Sequence, residues 1–348
     1  MKSKNIATGY AILAAALYAI NVPFSKLLLR VVSPTVMAGL LYLGAGLGLW
    51  VYGLLTGQKA AGSRLTRMEL PYTIGMIVLD IAAPILLMKG LTLTSSANAS
   101  LLNNFEIVAT SVLAWLLFRE ILSRRLIVAI VLVTLGSMIL GFEGDGAFQF
   151  NIGSVYVLGA ACCWGLENNC TRMLSGKSSV QITTIKGLCC GVGSLLLGLL
   201  TGEALPAPMY IPAVLTLGFI SYGLSINFYI KAQKDLGAAK TSAYYSIAPF
   251  LGVVFAMIVL GERPGVTFYI GLVFMTIATV LMVRDTIGLQ HTHEHTHTHC
   301  HAHSHGDLTH THVHSHTHSH SHVHGTDESA HAHDHGHLSG HEHTHESL

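Results

Sequence analysis

Histidine takes every second position from residue 291 to residue 305, and again from 310 to 324. The first run holds His291, His293, His295, His297, His299, His301, His303 and His305. The second holds His310, His312, His314, His316, His318, His320, His322 and His324, and shorter runs follow at 331–337 and 341–345. All 23 histidines lie in this tail, and none precedes residue 291. Alternate residues of an extended chain share one side, and a flexible chain can gather several imidazoles round one ion. Imidazole suits nickel, cobalt, zinc and copper, whereas magnesium and calcium prefer oxygen. Cys300 and the neighbouring carboxylates add donors, but the paired spacing of a zinc finger is absent. Ligation needs neutral imidazole, so metal binding is expected to fail as the pH falls below about 6.5.

A second set of chemically capable residues lies inside long apolar runs. Glu106 sits about halfway along the run 97–118, where a charge costs roughly 2.5–3.5 kcal/mol in a bilayer. On one continuous helix it shares a face with Asn103 and Thr110, and Asn98 and Asn104 widen that stripe. Other runs contribute Asn21, Ser25, Asp80, Glu167, Asn168, Asn169 and Lys240. Carboxylates and amides gathered inside a membrane could accept a cation or exchange protons against it. The competing account is an interhelical hydrogen-bond network, with Glu106 or Glu167 paired to Lys240 or Lys26 and amides acting as packing glue. No nucleophile–base constellation is present, so an enzyme is not expected.

These residues need elements to carry them. The chain has 348 residues, 51% hydrophobic and only 11% charged, against about 25% charged in soluble domains. A membrane helix needs about 20 mostly apolar residues. Ten such segments are expected: 6–29, 34–55, 71–90, 97–118, 125–142, 152–173, 181–201, 208–230, 239–260 and 264–283. Loops rich in Pro, Gly or charge separate them, and the first lacks a signal-peptide cleavage site. Cys162, Cys163, Cys170, Cys189 and Cys190 lie in apolar runs, where cysteine packs as a small hydrophobe.

Lys and Arg favour the cytoplasmic side of short loops. With the N-terminus inside, 14 of the 19 basic residues fall on inner segments, Lys59, Arg64, Lys177 and Lys186 among them. The outer segments 143–151 and 202–208 then hold Glu143, Asp145 and Glu203 without a base. Ten helices return the C-terminus inside, so a bacterial inner-membrane protein with both termini cytoplasmic is expected. Residues 1–285 carry 19 basic against 11 acidic residues, and the tail carries 7 acidic residues and no Lys or Arg. Having almost no apolar side chains, the tail is expected to be disordered.

The two halves echo each other. Tyr18-Ala-Ile-Asn-Val-Pro-Phe-Ser-Lys26 parallels Trp164-Gly-Leu-Glu-Asn-Asn-Cys-Thr-Arg172. Ala97-Asn-Ala-Ser100, followed by Arg119-Glu120, parallels Ala239-Lys-Thr-Ser242, followed by Gly261-Glu262. Each half holds five expected helices, an odd number, so the copies would insert with opposite topology. With the run Ala238-Ala-Lys-Thr-Ser-Ala-Tyr-Tyr-Ser-Ile-Ala-Pro249 ending in Leu260-Gly-Glu-Arg263, the pattern resembles the drug/metabolite transporter superfamily, specifically its ten-helix EamA-type members. The resemblance spans about residues 5–284. It implies an all-α membrane fold built as an inverted five-plus-five repeat, with a central cavity and secondary transport, usually export. The expected divisions are 1–142, 143–285 and a tail of 286–348. One departure stands out: the proline expected at Ile107, by analogy with Pro249, is missing, and Glu106 lies beside that place.

The expectation drawn from body and tail together is export of a divalent transition metal, nickel or cobalt first and zinc next, in exchange for protons. The tail would capture metal, and no resident cofactor is required. Some members of the resembled superfamily pair this body with nickel and cobalt resistance. The alternative is a metabolite or amino-acid exporter whose tail only buffers or regulates. Expected partners are lipid, protons, the small cation or small-molecule substrate and a second copy of the chain in a homodimer. Nucleic acid is not among them.

Overall fold

Hydrocarbon offers backbone amides no partner, so a chain this apolar is driven to satisfy them within helices. The computed structural model describes residues 2–56, 66–119, 122–142, 151–174, 179–305 and 308–323, with backbone alone over most of the tail. Lys59, Arg64, Glu120, Glu143, Asp145, Lys177 and His324 lie outside the described residues. The chain divides into two compact units, Met1–Gly288 and Leu289–Leu348.

The first unit is helical. Its helices are α1 (Lys2–Ala19), α2 (Asn21–Leu28), α3 (Pro34–Thr56), α4 (Leu70–Leu93), α5 (Ser96–Leu102), α6 (Phe105–Phe118), α7 (Arg124–Gly141) and α8 (Ile152–Arg172). After these come α9 (Ser179–Ile185), α10 (Gly191–Leu200), α11 (Ile211–Gly218), α12 (Ser225–Leu236), α13 (Ala238–Tyr245), α14 (Ala248–Leu260) and α15 (Val266–Leu289). A π-helical turn, Lys186–Cys190, joins α9 to α10, and another, Phe219–Leu224, joins α11 to α12.

Among the described residues, nine runs are long and apolar enough to cross a membrane, from Asn5–Leu28 to Val266–Ile287. They fall within a few residues of nine expected segments. The remaining one, expected at 152–173, is the helix α8, which Glu167, Asn168 and Asn169 make less apolar than the nine.

Three runs break in mid-course. The step from α1 to α2 falls at Ile20, three residues before Pro23, which has no amide hydrogen to donate. The step from α13 to α14 falls just before Pro249. The third break, between α5 and α6, has no proline at all. There the backbone tightens, Asn104 donating to the Leu101 carbonyl at 3.0 Å and Glu106 to that of Asn103 at 3.1 Å. Glu106 therefore opens the first turn of a half-helix rather than sitting midway along a whole one. Both α6 and α14 end on a left-handed residue, Arg119 (φ 55°) and Gly261 (φ 66°).

The first amides of a helix lack intrahelical acceptors, and two carboxylates supply them across the sequence. Glu262 accepts from the amides of Ser96 and Ala97, both at 2.8 Å, at the start of α5. Glu203 accepts from the amides of Thr35 (2.9 Å) and Val36 (3.0 Å) and from the Thr35 hydroxyl (2.6 Å), at the start of α3. The anions also complement the positive end of each helix. Glycine then lets α3 touch its neighbours backbone to backbone: a Cβ on Gly218 would stand 2.0 Å from the Leu41 carbonyl oxygen.

The second unit holds the histidine-rich tail. Its described residues form an antiparallel pair, β1 (Gln290–His305) with β2 (Leu308–Val323), and α15 continues past residue 286 to Leu289. The register sets His291 opposite His322 and continues rung by rung to His303 opposite His310. Strict period-two alternation is a strand pattern, and the interleaved Thr favours strands.

Glu262→Ala is expected to lower stability by about 1.5–3 kcal/mol, the range for hydrogen bonds to a charged group, and Glu262→Gln by less. Thermal unfolding in detergent measures it. An unchanged midpoint for Glu262→Ala would show that the carboxylate contributes nothing to holding α5.

Candidate functional site

Among the described residues, one ion-pair cluster joins three distant parts of the sequence. Lys186 Nζ lies 3.0 Å from Asp80 Oδ2 and 3.0 Å from Glu167 Oε1. Asp80 comes from α4, Glu167 from α8 and Lys186 from the first residue of the π-helical turn. Close packing places them: α4 and α8 meet at Gly90 and Gly153, where a Cβ on Gly90 would stand 2.8 Å from the Gly153 carbonyl oxygen. Beside Lys186, a Cβ on Gly187 would stand 2.4 Å from the Gly46 Cα, so the turn is pressed onto α3. Tyr42, one turn before Gly46, brings its hydroxyl 3.3 Å from Asp80 Oδ1. Thr171 donates to Glu167 Oε1. The carboxylates are sealed, with side-chain exposures of 1% for Asp80 and 3% for Glu167, whereas Lys186 keeps 25%.

Glu106 stands beside this group. Gly165 makes that possible, since a Cβ there would lie 2.8 Å from the Thr110 amide and hold α6 away from α8. Asn168 donates to Glu106 Oε1 at 2.8 Å and to Thr110 Oγ1 at 3.2 Å. Glu106 is close enough to interact electrostatically with Glu167, Lys186 and Asp80, and with Tyr18, Tyr222 and Tyr245. Two carboxylates thus share one ammonium, and Glu106 lies near enough for its charge to be felt. At the break between α5 and α6, Asn103 Oδ1 and Asn104 Nδ2 are buried without a hydrogen-bond partner among the described residues. Such groups cost about 1–3 kcal/mol each when left unsatisfied.

Tyrosines line the same region. Tyr18 packs against Tyr222 (6.0 Å between centroids) and Tyr245 (5.8 Å), and Tyr42 against Tyr222 (5.4 Å). Asn21 joins them by donating to the Tyr222 hydroxyl at 2.9 Å.

The sequence candidates therefore divide. Asp80 and Glu167 meet through Lys186, Glu106 meets Asn168, Asn103 caps the broken helix, and Asn21 holds Tyr222. Lys240 does not join them, being exposed on α13. The expected pairing of Glu106 or Glu167 with Lys240 or Lys26 is corrected: Lys26 donates to the carbonyls of Leu91 and of Thr94 (2.7 Å), groups near the end of α4. Asn98, buried, donates to the Leu140 carbonyl and works as packing glue. Lys186 was counted as an inner-segment charge, although it lies inside the apolar run 181–201, where any ionisable residue is a candidate for function. Among the described residues, no three His, Cys, Asp or Glu side chains are grouped to hold a metal ion.

Asp80→Asn and Glu167→Gln each leave Lys186 one carboxylate, whereas the double variant leaves it none. The double variant is expected to lose about 3–5 kcal/mol, the range for a broken buried pair, and each single variant less than half of that. A double-mutant cycle on detergent melting temperatures checks it, and strict additivity would show that the two carboxylates act independently.

The profile of the EamA-like transporter family matches residues 5–142 and again 151–284. An uncharacterized transporter of Methanothermobacter thermautotrophicus is 27% identical over 268 residues, covering 72% of this chain and 78% of its own. An uncharacterized transporter of Clostridium kluyveri is 26% identical over 234 residues, covering 64% and 75%. A crystal structure sharing 18% identity superposes with a TM-score of 0.59, covering 79% of this chain and 94% of the other, a likeness of fold.

Proposed function

The chain belongs to the EamA-like transporter family, a multi-pass membrane protein, and from that premise we propose a proton-coupled secondary transporter that exports a small organic solute bearing an ionised amine. The observation that carries the proposal is the Asp80–Lys186–Glu167 contact with Glu106 beside it. Two carboxylates on one ammonium, with the Glu106 carboxyl near them, favour a positively charged group. The tyrosines and the unpartnered amide atoms of Asn103 and Asn104 offer the mostly aromatic surroundings, with a few placed polar groups, that small organic ligands take. Broken helices commonly frame transporter sites, and α6 begins within one. A metabolite or amino acid fits these donors, Lys186 meeting a substrate carboxylate where Lys240 was the expected cation.

In this proposal the body has ten spans, α8 supplying the tenth. They form two inverted halves, 1–142 and 143–285, in the bacterial inner membrane with both termini cytoplasmic. The recurring offsets support the halves: the breaks at Asn103-Asn104 and Ser246-Ile247, and the left-handed ends at Arg119 and Gly261.

Export of nickel, cobalt or zinc is the second reading, favoured by the histidine tail. In the tail, histidine opposite histidine along β1 and β2 supports metal capture by imidazole. The body fits it less well, because it has no imidazole and its two sealed carboxylates already hold an ammonium.

Proteoliposomes offered labelled amino acids, simple amines and Ni, Co and Zn salts, with and without a pH gradient, separate these outcomes. Flux of an amine-bearing solute driven by the gradient is expected. Glu106→Gln keeps the hydrogen bond to Asn168 possible and is expected to slow that flux more than about tenfold, equivalent to about 1.4 kcal/mol in the barrier. Gradient-driven flux of metal alone, with no organic solute moved, would replace the first reading by the second.

A further inference from the structure

We propose that Lys186 is the resident counter-ion of the transport centre: its ammonium fills the place between Asp80 and Glu167 that the positive group of the solute takes in turn. The inference rests on the transport reading of this centre and names the residue that decides what can enter it. Three observations carry it. The ammonium sits 3.0 Å from a carboxylate oxygen on either side, so it belongs to both acids and to neither alone. Exposure falls from 25% on Lys186 to 1% and 3% on the acids. The two acids are thus more enclosed than the lysine between them, and a cation reaches the oxygens that hold the ammonium only where the lysine has left. The third observation is mechanical. The backbone next to Lys186 is pinned by the contact of Gly187 with Gly46, while the side chain is a flexible four-carbon stem. Displacement is a side-chain movement and needs no rearrangement of α3 or α10.

The charge balance fixes the consequence. With Lys186 withdrawn, two carboxylates face each other in a low-dielectric interior, which is prohibitive without a replacement positive charge. A solute cation or protons must take the place that Lys186 vacates, so the exchange is coupled by electrostatics. Neutral solutes gain nothing from this centre, and anionic ones only through Lys186 itself. The other charged or titratable groups near it are Glu106 from α6, Tyr42 from α3, Tyr222 from the second π-helical turn, Cys170 from α8, and Cys190 on its own turn.

The test uses the full-length protein in lipid nanodiscs and needs no knowledge of the natural solute. Infrared difference spectroscopy at neutral pH reads the carbonyl stretch of protonated carboxyl groups in wild type and variants, with methylammonium as the probe. Lys186→Met is expected to gain a protonated carboxyl that wild type lacks. Methylammonium should remove that band in Lys186→Met and leave wild type unchanged, and Lys186→Arg should show no gain. The gained band should be absent when Lys186→Met is combined with Asp80→Asn and Glu167→Gln. Lys186→Gln, which keeps an amide donor, serves if the methionine variant does not fold. A folded Lys186→Met or Lys186→Gln protein with no gained band overturns the proposal, and so does a gained band that methylammonium leaves in place. Because this readout involves no flux, a protein that passes it and moves no organic solute refutes the transport reading of the body while the counter-ion role stands.

Discussion

An ammonium shared by two carboxylates inside an apolar helical body sets the terms for everything packed around it. Each of the three charges would be costly alone in hydrocarbon, so each must be delivered to within hydrogen-bonding distance of the others. Delivery comes from three elements far apart in sequence: α4 with Asp80, α8 with Glu167 and a π-helical turn with Lys186. The glycines are the means. Gly90 and Gly153 seat α4 on α8, and Gly187 and Gly46 seat the turn on α3. The π turn changes the helical phase by one residue, as such bulges do at functional sites, and Lys186 stands at its first position.

A second constraint is the need to satisfy backbone amides where helices stop inside or near the membrane. This chain meets it with carboxylates as well as with serine, Ser95 and Ser123 accepting from the amides of Asn98 and Leu126. Glu262 and Glu203 serve the first amides of α5 and α3. Glu106 occupies the first turn of α6, where the helix dipole favours an anion. The break before α6 thus stands without the proline that accompanies its counterpart before α14. A carboxylate beside the break gives the first half of the chain a charge where the second half has the apolar Ala248 and Pro249.

Much of the fold was legible because hydrophobic length is a strong signal. The nine apolar runs were found within a few residues, and the echo between Arg119-Glu120 and Gly261-Glu262 reappears as two left-handed helix ends. The break at Asn103-Asn104 was not legible, since the sequence cue sought there was a proline. Of the candidate site, Asp80, Glu106, Glu167 and Asn168 were legible as polar residues at costly depth. Their partners were not. Partner choice depends on which helices touch, and periodicity on one helix says nothing of that. Lys186 was masked by a rule about loops, because a basic residue near the end of an expected span reads as an orientation signal. Tyr42 and Tyr222 carry no sequence cue of their own, and only the packing brings their hydroxyls to Asp80 and Asn21.

Body and tail then present two unlike chemistries in one chain. The body offers carboxylate, amide and phenol oxygens around an ammonium, and it has no histidine. The tail offers imidazole at close repeat. A nickel or zinc ion held by several imidazoles gains stability from ligands that the body lacks, and transfer to oxygen donors would give that stability up. Each added imidazole makes the tail a better store and a poorer donor to such a centre. An amine-bearing solute faces no such conflict, since carboxylates and aromatic faces hold ammonium groups without displacing any stronger ligand. On ligand chemistry alone, a histidine tail of this density is better suited to retaining metal than to handing it on, and the charged centre is better suited to an ammonium than to a transition metal.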